Sequence, residues 1–430
     1  MNINSKKVKQ ISFQLLFITI YVLFLFIQDK TFFFLPISII FFMTVYKIYR
    51  SRFKTISEIF VVLLIYSIPI SFFNIFGMSY GSFPLSWFNL FFLLFLFSFI
   101  VNKSISSIMF NRLSLVSIMY SLYLCLLILI SFDKIDAIHQ LINLIMFIVT
   151  ITLVNNKNIS INSKDFLTIF SDVTFFVSVA VIFQYGYFLF SGNIIGNIMF
   201  FSSRLAIGYL FSDFSFLSIY LASGLLIIIL TNKRYYLHYY FPVIFIACII
   251  TSARTGIVAL AIIYVVILII KSLKHLTSNP LKYFFSLLIT PAILLFLLFI
   301  IKQFRPNDFN LSSGRFESYI SSFYLLKENW ALGMGLGVGS YSINTGQVIP
   351  HNIFIQFLVQ TGVLGVTFLI IILSLITINI YQSNRKYLWI WFLILLGAQF
   401  IPDIFHSRFI IVVAIILLSN NSSTIKRKDD

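Results

Sequence analysis

The sequence predicts an all-α fold, a polytopic integral membrane helical bundle. Three observations carry this. Of the 430 residues, 60% are hydrophobic and 10% charged, with a mean hydropathy of +1.01, whereas soluble chains carry about 25% charged residues. Apolar runs of roughly 18 residues, the length that crosses a bilayer, follow one another nearly end to end. The basic residues between them alternate in density from one side to the other. No room is left for a separate soluble domain, so residues 1–430 read as one membrane domain.

Fourteen apolar spans can be placed in order, at 11–28, 31–46, 58–77, 87–101, 113–132, 137–154, 166–190, 206–230, 239–252, 254–271, 283–301, 352–378, 387–401 and 407–420. The start, MNINSKKVKQ, precedes an apolar run with no small-residue cleavage site after it, so it reads as a retained first helix. The 239–271 run reads as one kinked helix or as two short ones broken at TSARTG. With these spans, 21 of the 30 Lys and Arg fall on the N-terminal side and 9 on the other, which places both termini in the cytoplasm. The net charge of +17 is then a property of inner loops, and nucleic acid is not expected as a partner. Cys125 and Cys248 lie inside apolar runs and read as packing residues, with no disulfide or metal framework. Phe, Ile, Asn, Lys, Tyr and Ser are abundant, as AT-rich bacterial genes favour.

One outward-facing connection, 302–350, is long, and such loops are functional or disordered. This one carries Tyr319, Tyr324, Trp330 and a glycine series. Three outward arginines stand out: Arg204 in FSSRLAIGY, Arg254 in ITSARTGIV and Arg315 in LSSGRFESY. A guanidinium fork suits phosphate, so all three are candidates to converge on an anionic ligand. The plainer reading is snorkelling to headgroups, or pairing with acids such as Asp213 or Glu317. His351 opens the helix after the long loop, and an imidazole there suits a general base; a packing or capping histidine is the alternative. His406, with Asp403 and Arg408 in PDIFHSR, is held in reserve, and His139, His238 and His275 rank lower. The run GMGLGVGS, Gly333 to Ser340, lacks the strand–Gly–helix context of a nucleotide fingerprint. It reads as a tight turn that lets backbone approach a ligand. No His/Asp/Glu cluster has metal-ligand spacing, and no cofactor is expected.

The segment SSGRFESYISSFYLLKENWALGMGLGVGS followed by PHNIFIQFLVQTGVLGV resembles the O-antigen polymerase and ligase family of bacterial membranes. That family shows an Arg, a Trp about 15 residues on, a G-x-G turn, and His-Asn opening a helix. Its ligase branch is described by H-[NSQ]-x9-G-x2-G-[TV]. His351, Asn352, Gly362, Gly365 and Val366 fit every fixed position. TSARTG is similar to the family's Ser-Arg turn, with Ala253 in place of the serine directly before Arg254. The stretch around Arg204 resembles a third, looser arginine segment. The family's spans number nearer 12, so the expected count is 12–14, with some spans re-entrant or broken.

The resemblance implies a metal-independent, inverting glycosyltransferase at the outer face of the bacterial cytoplasmic (inner) membrane, with 302–350 periplasmic. Its donor would be a glycan on undecaprenyl pyrophosphate, and a flippase and chain-length regulator of the same pathway would be partners, with membrane lipid around it. Arg254, Arg315 and Arg204 would hold the pyrophosphate. His351 would take the acceptor's proton. Asn352, Trp330, Glu317 and Tyr319 would contact substrate more weakly, Trp330 and the tyrosines either stacking on sugar or closing the loop core. Residue usage leans towards a polymerase joining lipid-linked repeat units; a ligase acting on lipid A-core is the alternative. A lipid-linked glycan transporter would show internal repeats and midplane charges, and neither is evident in the sequence.

Overall fold

The computed structural model describes residues 2–79, 85–101, 111–154, 162–201, 204–275, 315–346 and 349–419. The helices follow the apolar runs: α1 (Asn2–Ile27), α2 (Thr31–Arg50), α3 (Ile56–Ser67), α4 (Trp87–Val101), α5 (Arg112–Ile130), α6 (Lys134–Val154) and α7 (Ser163–Ser191). Then come α8 (Phe214–Thr231), α9 (Phe241–Ile250) and α10 (Arg254–His275). The last five are α11 (Arg315–Asn329), α12 (Val338–Thr345), α13 (Ile353–Asn384), α14 (Leu388–Gly397) and α15 (Phe409–Leu418). Among the described residues, seven helical stretches are long and apolar enough to cross a membrane, and five shorter apolar helices accompany them. The chain is thus a multi-pass membrane protein. The expected span 283–301 lies outside the described residues.

α8 is apolar all round and correspondingly enclosed, with Phe216 to Ile228 buried without interruption. It packs against α7, α9, α10 and α14. Gly256 permits the α8–α10 crossing, because a Cβ there would overlap the Ser218 carbonyl; small residues at such crossings let backbones approach.

The 239–271 run is two helices, one of the two forms its sequence allowed; elsewhere the structure departs from the sequence reading. The hydroxyl of Thr251 accepts from Ala253 N at 3.3 Å, and Ser252 adopts φ 54°, which turns the chain between α9 and α10. The span expected at 206–230 begins at Phe214, where the Asp213 carboxylate caps α8 by accepting from Ser215 N at 2.5 Å. Residues before it form an antiparallel hairpin, β1 (Asn197–Phe201) with β2 (Arg204–Tyr209), beside an otherwise all-α bundle. Apolarity alone does not separate strand from helix in so short a run. Finally, Cys248 is buried as expected but Cys125 is exposed on α5.

The last departure bears on His351. Asn352 caps α13, its side-chain oxygen accepting from Phe354 N and Ile355 N. Ile353 N donates to Ala398 O at 3.1 Å, and Asn352 Nδ2 to Gln399 Oε1 at 3.0 Å. Measured from the Arg385–Tyr387 turn at about 1.5 Å per residue, Ala398 lies ~16 Å along α14, while Ile353 would lie ~48 Å up a straight α13. Both ends meet, so α13 folds back on itself. It does so at Gly362, its non-helical residue (φ 63°, ψ −173°). The first arm, up to Thr361, climbs beside the second arm, which descends from Val363. His351 therefore sits beside the end of α14, half-buried, rather than at the far tip of a straight α13.

Candidate functional site

The site is built on a polar stripe along α6. Asp136, His139, Gln140 and Asn143 follow at i, i+3, i+4 and i+7 and share one face. Against this face lie three pieces of chain: the first arm of α13, the glycine run, and the turn from Ala398 to Arg408 that links α14 to α15.

The glycine run accounts for the carbonyls that the reversal at Gly362 frees. Met334 N donates to Val359 O at 2.9 Å and Gly335 N to Gln360 O at 3.0 Å. Tyr123 donates its hydroxyl to Thr361 O at 2.7 Å, and Val363 N turns to Trp330 O at 2.9 Å. Four backbone groups at the break thus find partners from other segments. A Cβ on Gly362 would overlap the Ala331 carbonyl. The run thus brings backbone close to α13 and α6; the close approach expected from its glycines is made to protein.

Gln140 and Gln360 form a reciprocal amide pair: Gln140 Nε2 donates to Gln360 Oε1 at 3.0 Å, and Gln360 Nε2 to Gln140 Oε1 at 3.1 Å. Gln140 Oε1 also accepts from Gly337 N at 2.7 Å. Gln356 Nε2 donates to Gln360 Oε1 at 3.3 Å, and Gln356 Oε1 accepts from Asp403 N at 2.7 Å. All three glutamines are buried.

The Asp403–Arg408 turn is strained, with φ 47° at Asp403 and 58° at Arg408, values uncommon for residues other than glycine. The His406 ring lies against Phe72 (5.5 Å) and Phe216 (6.5 Å), with Nδ1 3.2 Å from Asn143 Nδ2. Burial, with Arg408 and His139 nearby, pushes its imidazole down to about 3. A base that weak is poorly matched to proton abstraction near neutrality. Burial and the Asp136 carboxylate push Asp403 up to about 7, a range suited to acid–base work. Its Oδ1 and that of Asn143 are buried with no hydrogen-bond partner among the described residues. Arg408 is fully buried, places its guanidinium 5.8 Å from the Phe72 ring centre and donates to Ser86 Oγ at 3.4 Å.

The other expected residues fall around this core. His351 is half-buried at the foot of the first arm of α13. Arg254, also half-buried, opens α10. Ala253 beside it packs with Ala206 of β2 and Phe214 of α8, which brings the turn carrying Arg254 next to the strand that Arg204 begins. Phe216, two residues on from Phe214, lies against His406. Arg315 opens α11. Leu325 and Leu326 of that helix pack around Val359, Ile349 and Tyr341, and Trp330 O bonds Val363 N. α11 thus runs in the sense of the first arm of α13, with Arg315 at its His351 end. Trp330 is 63% exposed and does not close the loop core. Glu317 is exposed and Tyr319 half-buried. The amide of Asn352 is committed to its cap and to Gln399.

Residues 239–370 match a family model described as O-Antigen ligase. The match takes in Arg254, Arg315, His351, Gly362 and Gly365; it leaves out Arg204, the α6 stripe and the Ala398–Arg408 turn. Comparison with curated proteins gives no match.

Proposed function

We propose that this chain is a membrane glycosyltransferase that moves a glycan from a polyprenyl-pyrophosphate carrier onto an acceptor hydroxyl at the outer face of the bacterial cytoplasmic membrane. The observation that carries this is the family match over 239–370, which contains the whole His-Asn…Gly…Gly motif and two of the three arginines. The family's description favours transfer to lipid A-core, the ligase reaction, over the repeat-unit polymerisation that residue usage suggested.

The chemistry follows from the residue types. A sugar pyrophosphate is already a good leaving group, so the step needs charge stabilisation more than a strong acid. Arg254 and Arg315, with Arg204 beside the Arg254 turn, would neutralise the departing pyrophosphate; preorganised donors of this kind are worth about 3–4 kcal/mol each. His351 would take the acceptor proton as its oxygen attacks the anomeric carbon, inverting the configuration. Exposed Trp330 is available to stack on sugar.

The test is His351→Ala in the native strain, with membrane expression confirmed and surface polysaccharide run on a gel. Loss of all glycan from the core, with lipid-linked polymer accumulating, is the ligase result. Loss of the ladder with single repeat units still attached is the polymerase result. An unchanged ladder overturns the role of His351.

A further inference from the structure

We infer that Gln140, Gln356 and Gln360 are positioning residues for the transfer reaction: a buried amide relay that holds the His351 end of α13 in register with the Asp403–Arg408 turn. The inference rests on the function proposed above and adds residues that the matched segment only partly covers, since Gln140 lies outside it.

The geometry is a continuous chain of donors and acceptors. It starts at Gly337 N in the glycine run, passes through Gln140 of α6, crosses to Gln360 and Gln356 of α13, and ends at Asp403 N. Four separate pieces of sequence meet in it. Backbone bonds already tie the glycine run and Ala398 to α13; this network joins both to Gln140 of α6 and to Asp403, and hydrogen bonds in a buried network fix orientation and register.

Two features separate this relay from ordinary helix packing. First, it is made on the arm of α13 that turns back at Gly362. That short arm cannot draw its position from the long helix that follows; it is located by what it touches. Its lower end is fixed by Ile353 N on Ala398 O and Asn352 on Gln399. Its middle is fixed by Gln356 on Asp403 N and its upper end by Gln360 on Gln140. Second, both partners of the lower attachments belong to the Ala398–Arg408 turn. The relay therefore sets the distance between His351, which precedes the cap residue, and the turn that bears Asp403. Displacements near 1 Å at such a place cost on the order of 10²-fold in rate.

Gln360 is the informative position, since it both donates and accepts. Gln360→Glu keeps the shape and, when ionised, still accepts from Gln140 and Gln356, but loses its donor to Gln140 Oε1. When protonated it regains a donor. The experiment uses the full chain reconstituted in lipid vesicles, with lipid-linked glycan extracted from a native strain lacking the chain as donor. Wild type, His351→Ala, Gln360→Ala and Gln360→Glu are compared for kcat, donor KM and pH profile, with thermal unfolding in detergent as the fold control.

The expected result is a fall in kcat of about 10- to 100-fold for Gln360→Ala with donor KM within threefold of wild type. For Gln360→Glu, kcat relative to wild type rises as pH is lowered. A wild-type kcat in both Gln360 variants overturns the relay while leaving the transferase reading intact, and so does a raised KM with unchanged kcat. A Gln360→Glu ratio flat with pH also overturns it. If the wild-type chain itself shows no transfer and His351→Ala is indistinguishable from it, the transferase reading fails instead.

Discussion

Two polar clusters sit inside this apolar bundle, and they are built differently. Towards the Lys- and Arg-rich end, Asp172 of α7 accepts from the hydroxyl of Tyr236 at 3.0 Å and is also bonded by Tyr240, which in turn accepts from Gln14 of α1 at 2.7 Å. These residues lie on helical backbone, including a five-residue π turn, Tyr236–Tyr240. The cluster around α6 instead rests on turns and reversals. Among the described residues outside glycine, positive φ occurs at Asp29, Tyr209, Ser252, Asp403 and Arg408 at this end, against Asn232 alone at the other. Two buried acceptors here, on Asn143 and Asp403, have no hydrogen-bond partner among the described residues, while the Asp172 carboxylate is bonded by two hydroxyls. Strain and unmet polar atoms concentrate where a site needs fixed, reactive groups; satisfied groups on regular helices hold helices together. The difference teaches that polarity in a membrane bundle does not by itself mark function. Its backbone setting does.

The largest effect that would sharpen this contrast is at Arg254. Arg254→Ala is expected to lower transfer by about 10²–10³-fold with little change in the unfolding temperature, since the side chain is half-buried at a helix start. Arg254→Lys should restore little, because the bidentate fork is lost. Transfer assays on membranes normalised for protein check both. Full activity in the lysine variant would leave only a point charge to explain.

Gly362→Ala comes next and acts on both fold and site. A Cβ would overlap the Ala331 carbonyl, and φ 63° is strained for alanine. A cost of at least about 2 kcal/mol is expected, seen as a lower unfolding temperature in detergent together with loss of transfer. Normal stability would mean that α13 does not need its reversal.

How much of this was legible beforehand follows the range of each signal. A membrane span is a local property of some 18 residues, so apolar runs located nearly every helix described. The reversal at Gly362 was not visible, although the motif glycines were, because what demands them is Ala331 and Trp330 from a different segment. Of the hairpin, only Ala206–Tyr209 reads as the start of a span, because AIGY is as apolar as a helix; Asn197–Leu205 reads as connection. Arg254, Arg315 and His351 were singled out because charge is rare outside and a guanidinium has an evident use. The glutamines were passed over because an amide in an apolar run carries no charge to notice. Their spacing was nonetheless available: Gln356 and Gln360 stand at i, i+4, and Asp136, His139, Gln140 and Asn143 fall on one face.

Asp172→Ala tests the other side of the comparison. Removing the carboxylate leaves the hydroxyls of Tyr236 and Tyr240 without their acceptor, costing about 1–3 kcal/mol. Unfolding should come earlier and membrane abundance should fall, while transfer per folded molecule stays within about twofold of wild type, the scatter of context-dependent effects. A tenfold loss of specific activity would erase the distinction drawn between the two clusters.

The smallest net effect concerns pH, because two groups in the Asp403–Arg408 turn oppose each other. Asp403 titrates near 7 when folded and near the ordinary carboxylate value, about 3.9, when unfolded. Between those values the folded state holds the extra proton, so its contribution to stability falls as pH rises from about 4 to about 7. His406 titrates near 3 when folded and about 6.5 when unfolded. Between those values the unfolded state holds the extra proton, so its contribution rises with pH. The slopes, each at most about 1.4 kcal/mol per pH unit, largely cancel from pH 4 to 6.5. Wild-type stability in detergent should be nearly flat across that window. Asp403→Asn should expose a stability that rises with pH, and His406→Gln one that falls. Parallel slopes in the two variants would show that the turn does not bury both groups together, and the contrast with the Asp172 cluster would lose its electrostatic half.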